Sequence, residues 1–277
     1  MRDFRDKVAV VTGAASGIGR ALAERFAAEG MRVVLADIER EPLQAIERDL
    51  RQSGAKVLAV ETNVADPESV DALAKATLAE FGAVHVLCNN AGVGAMIGPL
   101  WESSLADWEW VLGVNLWGAI HGIRTFVPIL LAQRTEAHVV NTASIAGLLA
   151  YQIPFMGVYN ASKHAVVAIS ENLSSELAFI GSAVKVSVVC PGAVQTQILD
   201  SERNRPDYAR RVVNPGIEEA LRAKVAAGLS PQAVAAEVLS AIREERLYVL
   251  THPEYAEALR ARAEDVIAQR NPAPVKR

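Results

Sequence analysis

The sequence predicts an α/β fold: a doubly wound parallel sheet of about seven strands with helices on both faces. Three features point there. Short β-branched runs alternate with longer amphipathic segments along 277 residues, the rhythm of repeated strand–helix units. The runs lack apolar–polar alternation, as strands covered on both faces do. No composition shift or linker divides the chain, so residues 1–277 are expected to form one domain.

The first strand, residues 7–12, holds Val8-Ala9-Val10-Val11 and runs into Thr12-Gly13. The helix expected over 17–30 carries an inner stripe of Ile18, Leu22 and Phe26 and reaches Gly30, where a C-terminal cap belongs. Strands at 32–37, 56–61 and 84–89 then alternate with helices near 41–52 and 66–81. A long helix is expected over 103–132, opened by Ser104 with Asp107 three residues on, a capping-box variant. Nearby Trp101, Trp108, Trp110 and Trp117 read mainly as core and subunit packing. A strand at 138–142, a helix at 157–180, a strand at 184–190 and a helix at 231–244 follow. A weaker strand at 247–250 and a last helix near 254–270 complete the series, and the tail 271–277 is expected to fray. Residues 192–229 break the rhythm, with Gly192, Pro206, Pro215, Gly216 and Gly228 among charged side chains. A long irregular segment in a compact domain reads as a functional lid, against the blander reading of a surface insertion.

Composition narrows the function. Twenty-eight basic against 32 acidic residues leave a net charge of −4, with no basic run of the kind a nucleic-acid groove needs. Residues 137–162 lack a charged side chain, but Asn141, Thr142, Ser144, Gln152, Pro154, Gly157 and Asn160 interrupt them too often for a membrane span. The apolar stretch 8–11 is too short for a signal peptide. Cys88 and Cys190 stand far apart without metal-ligand spacing and read as reduced thiols, and His121, His138 and His164 form no metal-like group. A cytoplasmic protein is expected, with no metal, nucleic-acid or membrane partner.

The turn after the first strand, Thr12-Gly13-Ala14-Ala15-Ser16-Gly17-Ile18-Gly19, spaces its glycines as GxxxGxG. Such glycines let the turn tighten and let a ligand approach bare backbone, with the N–H groups of the helix start facing a pyrophosphate. The second strand ends at Asp37, 18 residues beyond Gly19, close to the spacing at which an acid reaches adenine-ribose hydroxyls. Alone, Asp37 reads as an N-cap of the next helix; with the glycines, a dinucleotide site is the better reading. Farther on, Tyr159 and Lys163 stand at i and i+4 of one helix and so share a face. An ammonium beside a phenol favours the phenolate and suits it to acid–base work. Asn115 lies mid-helix, where propensity alone turns it to solvent.

The turn at 12–19, Asn89-Asn90-Ala91-Gly92, Asn115, Ser144, the Tyr159/Lys163 pair and Pro191-Gly192-Ala193-Val194-Gln195-Thr196 occur in order. Together they resemble the short-chain dehydrogenase/reductase family over nearly the whole chain, about residues 7 to 250. The resemblance implies a Rossmann-like fold, a nicotinamide cofactor, and hydride transfer at a carbon bearing oxygen. It gives Tyr159 the proton, Lys163 the phenol and the nicotinamide ribose, Ser144 the substrate oxygen, and Asn115 a water-mediated relay to the lysine. Cofactor contacts are expected from Gly13, Ser16, Gly17, Ile18, Gly19, Asp37, Asn63, Val64, Asn90, Ala91, Gly92, Tyr159, Lys163, Pro191, Gly192, Val194 and Thr196, with Asp37 favouring NAD over NADP. It also implies a homo-oligomer, tetramer or dimer.

Two departures stand out. Ser144 and Tyr159 are 15 residues apart, a longer gap than usual, so the loop between them is expected to bulge into the pocket. Asn63 also replaces a commoner aspartate. The rim, with Met96, Ile97, Ile153, Phe155, Met156, Ile198 and Leu199, carries no basic side chain, while Arg203, Arg205, Arg210 and Arg211 of the lid are expected to face water. The substrate is therefore expected to be a bulky hydrophobic secondary alcohol or its ketone, with contacts from Ser144, Phe155, Met156, Tyr159 and Ile198. Two competing readings are a reductase of acyl-carrier-bound 3-oxo esters and a nucleotide-sensing protein without catalysis.

Overall fold

A computed structural model of the chain describes residues 1–94, 97–152, 154–205 and 215–272. Strand β1 (Val8–Thr12) is apolar because both its faces are covered: Ala9 and Val11 point into one side-chain layer, Val8 and Val10 into the other. β2 (Arg32–Asp37) follows the same rule. With β3 (Val57–Glu61), β4 (Val86–Asn89), β5 (Ala137–Thr142), β6 (Val184–Val189) and β7 (Tyr248–Val249), they form one seven-stranded sheet in the order β3-β2-β1-β4-β5-β6-β7. Every pairing in it is parallel.

Helices cover the sheet on both sides. α1 (Gly17–Ala28), α2 (Arg40–Gln52) and α8 (Pro231–Glu244) bury Leu22, Phe26, Leu43, Ile46, Val238 and Ile242 against one face. α3 (Pro67–Phe81), α5 (Gly118–Gln133) and α6 (Gly157–Phe179) bury Leu73, Phe126, Leu130, Leu173 and Leu177 against the other. Phe26 and Phe126 are fully buried, each worth about 1.5–3 kcal/mol over leaving it in water. Several helix starts are written locally. Asp66 caps α3 by accepting from the Glu68 N–H, with Pro67 in the first turn and left-handed Gly82 at the end. Ser230 and Pro231 open α8 in the same way, and Ser104 with Asp107 makes the expected capping box of α4 (Leu105–Leu112).

Two stretches differ from the sequence reading. The helix expected over 103–132 is α4, a π-helical turn at Gly113–Trp117, and α5. The described residues of 192–205 and 215–229 are more regular than expected, with a 3-10 turn at Ile198–Asn204 and helix α7 (Pro215–Ala226). α7 buries no residue, so it leaves no apolar stripe to read; Arg222 and Glu218, one turn apart at 2.9 Å, support it instead. The charge-free stretch 137–162 divides into β5, two 3-10 turns and the start of α6. Of the tryptophans, Trp101 is 84% exposed while Trp108 and Trp110 pack on Val93, Val111 and Val158. Met96, Ile153, Pro206, Arg210, Arg211 and the end of the tail lie outside the described residues.

The chain reverses its direction of growth between β3 and β4, so the crossovers leaving β1 and β4 diverge and open a crevice beyond the C-terminal ends of the strands. In open parallel sheets that crevice is the ligand position.

Candidate active site

The crevice is laced at its base by Thr12. Its Oγ1 donates to the Cys88 carbonyl (3.2 Å) and accepts from the Asn90 and Ala91 N–H groups (2.9 and 3.0 Å). Asn90 returns a bond to the Thr12 carbonyl (3.0 Å) and accepts from Thr142 (3.2 Å), which joins the ends of β1, β4 and β5. Gly13 has φ +68°, and a Cβ there would stand 2.8 Å from the Ala91 Cα, so both conformation and space require glycine. Gly19 is required by contact alone: its Cβ would lie 2.0 Å from the Gly13 carbonyl oxygen. Ser16 opens α1 with no side-chain cap bond, leaving the N–H groups of the first turn for a ligand.

Asp37 is tied to this turn. One carboxylate oxygen accepts from the Ala15 N–H (2.9 Å) and the other from the Glu39 N–H (3.0 Å). Burial raises its pKa, opposed by those two backbone bonds. The N-cap of α2 is Glu39 and not Asp37; Asp37 holds the turn before the helix, and each of its oxygens keeps lone-pair capacity for a ligand.

A cleft of about 450 Å³ runs from Asp37 to Tyr159. The expected residues Gly13, Ser16, Gly17, Ile18, Asp37, Asn63, Val64, Asn90, Ala91, Gly92, Ser144, Tyr159, Lys163, Pro191, Gly192, Val194, Thr196 and Ile198 line it. Gly19, Asn115, Phe155 and Met156 do not. Phe155 is 38% exposed with a left-handed φ of +65°, and its carbonyl accepts from the Gly98 N–H; Met156 is buried at the head of α6. The lengthened loop thus takes up its extra residues in two 3-10 turns and that left-handed residue, and neither side chain reaches the cleft wall. Glu39, Trp110, Arg203 and Asn204 also line the cleft, and nothing local in the sequence singles them out.

At the Tyr159 end the chemistry converges. Ser144 Oγ accepts from the Ala146 N–H (3.1 Å) and donates to the Pro191 carbonyl (3.4 Å), which fixes its side chain. Despite the long gap, serine and tyrosine line the same end of the cleft. Burial raises the Tyr159 pKa and the nearby Ser144 hydroxyl works against it, so the phenol keeps its proton at neutral pH. Lys163 Nζ donates to the Thr142 carbonyl (2.9 Å) and lies 5.7 Å from the Tyr159 ring centre. Burial pushes the lysine down to about 8. The expected pull of the ammonium towards phenolate is outweighed here, because desolvation is the larger influence on both groups. Asn115 is buried, not solvent-facing. Its Oδ1 accepts from the Val93 N–H (2.8 Å), and Nδ2 donates to the Val93 carbonyl (3.0 Å) and Ser162 Oγ (3.1 Å). The π-helical turn, a geometry common at functional sites, carries it inward. A Cβ on Gly92 would stand 3.4 Å from both Asn115 Oδ1 and Lys163 Nζ, so both face the same narrow space.

The 3-10 turn at Ile198–Asn204 crosses the mouth of the cleft. Arg203 Nε donates to Glu39 (2.6 Å), Asn204 Nδ2 to the same oxygen (2.6 Å), and Arg205 to Asp107 (2.5 Å) while lying over the Trp110 ring. Arg205, expected to face water, is instead half-buried against Asp107, while Arg203 stays exposed as expected and pairs with Glu39. Burial raises the pKa of Glu39 and of Asp107, but the hydrogen bonds of Arg203 and Asn204 to the first, and of Arg205 and Ser104 to the second, outweigh it. Both carboxyls stay below their ordinary range.

A dinucleotide cradle at the switch point, with a serine–tyrosine–lysine group at its far end, defines a nicotinamide-dependent oxidoreductase. The chain belongs to the short-chain dehydrogenase family, which matches residues 7–207. A short-chain dehydrogenase/reductase of Burkholderia phymatum, solved in complex with NAD, superposes with a TM-score of 0.94 at 49% identity, covering 99% of this chain and 98% of that one. A CLA biosynthesis dehydrogenase/reductase of Lactiplantibacillus plantarum is 34% identical over 98% of this chain and 97% of its own length. A 1-deoxy-11-beta-hydroxypentalenate dehydrogenase of Streptomyces exfoliatus is 36% identical over 95% and 89%.

Proposed function

We propose that the protein is an NAD-dependent dehydrogenase and ketone reductase acting on a bulky, uncharged secondary alcohol or its ketone. The observation that carries this is the convergence of Ser144, Tyr159 and Lys163 at one end of a cleft whose other end is Asp37. The unfilled first turn of α1 and the bare backbone at Gly13 fit a pyrophosphate, and Asp37 fits ribose hydroxyls. A 2′-phosphate beside Asp37 would meet like charge, which favours NAD. When bound, NAD supplies the acceptor or donor of hydride.

The chain's own groups do the rest. Tyr159 holds at Oη the proton exchanged with the substrate oxygen, and Ser144 Oγ orients that oxygen. Lys163, anchored on the Thr142 carbonyl, stabilises the phenolate once a ligand has excluded water. Asn115 shares the narrow space at Gly92 with Lys163 and supports a water-mediated path for the proton. The substrate class rests on charge: among the described residues lining the cleft the basic ones are Lys163 and Arg203, and Arg203 is held by Glu39. A carboxylate or phosphate would have no free cation to meet and would be costly to bury. Ile198, Val93 and Trp110 offer apolar wall instead. The Streptomyces relative, named as a dehydrogenase of a hydroxypentalenate, supports oxidation at a hydroxyl-bearing carbon and not the uncharged part of the reading, since a pentalenate is a carboxylate. The segment 192–229 acts as the lid, and exposed Trp117 and Phe179 beside α5 and on α6 support a homo-oligomer, dimer or tetramer.

The test is Tyr159→Phe, with secondary alcohols and NAD followed by absorbance of the reduced cofactor. Turnover should fall by about two to four orders of magnitude, the range of a lost general acid, while NADH binding persists. Retention of more than about a tenth of the wild-type rate removes Tyr159 from the role.

A further inference from the structure

We propose that His252, which follows the seventh strand, is the positioning residue that sets the nicotinamide side of the cleft by clamping the backbone of Gly192 and Ala193. The proposal rests on the reading of residues 191–196 as the nicotinamide side. Nothing in the sequence pattern marks this histidine.

His252 is 8% exposed. Its Nδ1 accepts from the Gly192 N–H at 3.0 Å, and its Nε2 lies 3.0 Å from the Ala193 carbonyl. An N–H can only donate and a carbonyl can only accept, so the two contacts fix the neutral tautomer with its proton on Nε2. Thr251 Oγ1 also lies 2.8 Å from Nδ1 and completes its environment. One ring therefore satisfies backbone groups of two consecutive residues in the segment that, with Thr196, walls the cleft.

Packing leaves the segment little freedom to shift. A Cβ on Gly192 would stand 2.9 Å from the His252 ring and 2.8 Å from Tyr255 Cε2. Tyr255 in turn lies 6.1 Å from the His252 ring, centre to centre, and carries Lys224 of α7 over its own ring. On its far side the segment is held by Leu229, whose N–H donates to the Ala193 carbonyl and whose carbonyl accepts from the Gln195 N–H. The Ala193 carbonyl thus receives both His252 and Leu229. Remove the histidine and Gly192 keeps a half-buried, unpaired donor, while one of the two restraints on Ala193 is lost. The effect should fall on the nicotinamide end and leave the Asp37 end untouched.

That asymmetry is the test. NADH and ADP-ribose, which shares everything but the nicotinamide, are titrated into wild-type protein and His252→Phe, which keeps a ring and removes both polar contacts. NADH affinity should fall about tenfold, the scale of one lost hydrogen bond, while ADP-ribose affinity stays within about twofold. His252→Asn, which keeps an acceptor for the Gly192 N–H, should stay within about threefold of wild type for NADH. Equal losses for both ligands, or no loss for either, overturn the proposal. If His252→Phe does not fold, the order His252→Ala, then His252→Asn, then wild type in NADH-to-ADP-ribose preference carries the same test, and a flat series overturns it. Should wild-type protein bind NADH no better than ADP-ribose, the reading of residues 191–196 falls, and the proposal with it; a preserved wild-type preference that the variants fail to change overturns the proposal alone.

Discussion

Replacing Arg205 with alanine cuts the more buried of the two ion pairs, Arg203–Glu39 and Arg205–Asp107, that tie the 3-10 turn at Ile198–Asn204 to the opposite rim. That turn forms a strap over the cleft mouth. The side chains of Arg205 and Asp107 are 14% and 10% exposed, those of Arg203 and Glu39 37% and 15%. Losing one partner of a fully buried pair costs about 3–5 kcal/mol, mostly from the charge left behind. Asp107 is less deserted than that, because the Ser104 N–H and hydroxyl still donate to it, so about 2 kcal/mol is the working figure. Arg203→Ala removes a pair screened by water and should cost about 0.5–1 kcal/mol. If strap opening limits release of the cofactor, Arg205→Ala should speed NADH dissociation about 30-fold and Arg203→Ala about two- to fivefold. Stopped-flow displacement of NADH, followed by its fluorescence, reads both rates. The acid limb gives a second reading. Both carboxyls titrate below their ordinary values of 3.8 and 4.5, so the ties are complete above those values and are lost as pH falls through the folded pKa values; dissociation should be flat from neutrality down to about pH 5 and quicken only below. An Arg205→Ala rate within about twofold of wild type would refute the strap as the gate.

Two further outcomes are expected. Asp37→Ser should leave the Ala15 and Glu39 N–H groups without a carboxylate and shift kcat/KM towards NADP by roughly two orders of magnitude, the ~3 kcal/mol scale of one close like-charge contact; an unchanged ratio in paired assays removes Asp37 from cofactor choice. Lys163, with a folded pKa of about 8 against an ordinary 10.5, binds its proton more weakly folded than unfolded, so cofactor-free protein should gain stability from this group between those two pH values. Urea melts should show that gain, at most about 3 kcal/mol, in wild type and not in Lys163→Met; parallel curves would contradict it.

Local rules made most of this molecule legible. β1 reads as a doubly covered strand because four successive apolar residues have no other use, and the Tyr159–Lys163 pair is visible because helical spacing alone puts it on one face. What escaped depends on contacts between distant residues. Asn115 reads as solvent-facing until a π-helical turn, which no propensity encodes, brings it to Val93 and Ser162. Glu39 looks like any acid near a helix start, yet it meets Arg203 and Asn204 more than 160 residues away. Phe155 and Met156 look like rim residues until the left-handed backbone at Phe155 directs the chain away. α7 has no buried face to leave a pattern. The rule at work is that periodicity reports burial against a sheet, and these residues are placed by pairing instead.

The cleft takes its walls from the segments after all of the first six strands, and this bears on how the chain folds. Every wall is contributed by a crossover whose strand pairs with a neighbour far off in sequence, so the site can exist only after the non-local sheet has assembled. No fragment ending before β6 contains it. A ligand that recognises the assembled cleft has nothing to hold in the unfolded chain, and it stabilises the folded state by mass action, about 2.7 kcal/mol at a hundredfold excess over Kd. Cofactor concentration then sets the lifetime of the whole sheet against unfolding and proteolysis, well beyond the few loops that touch it.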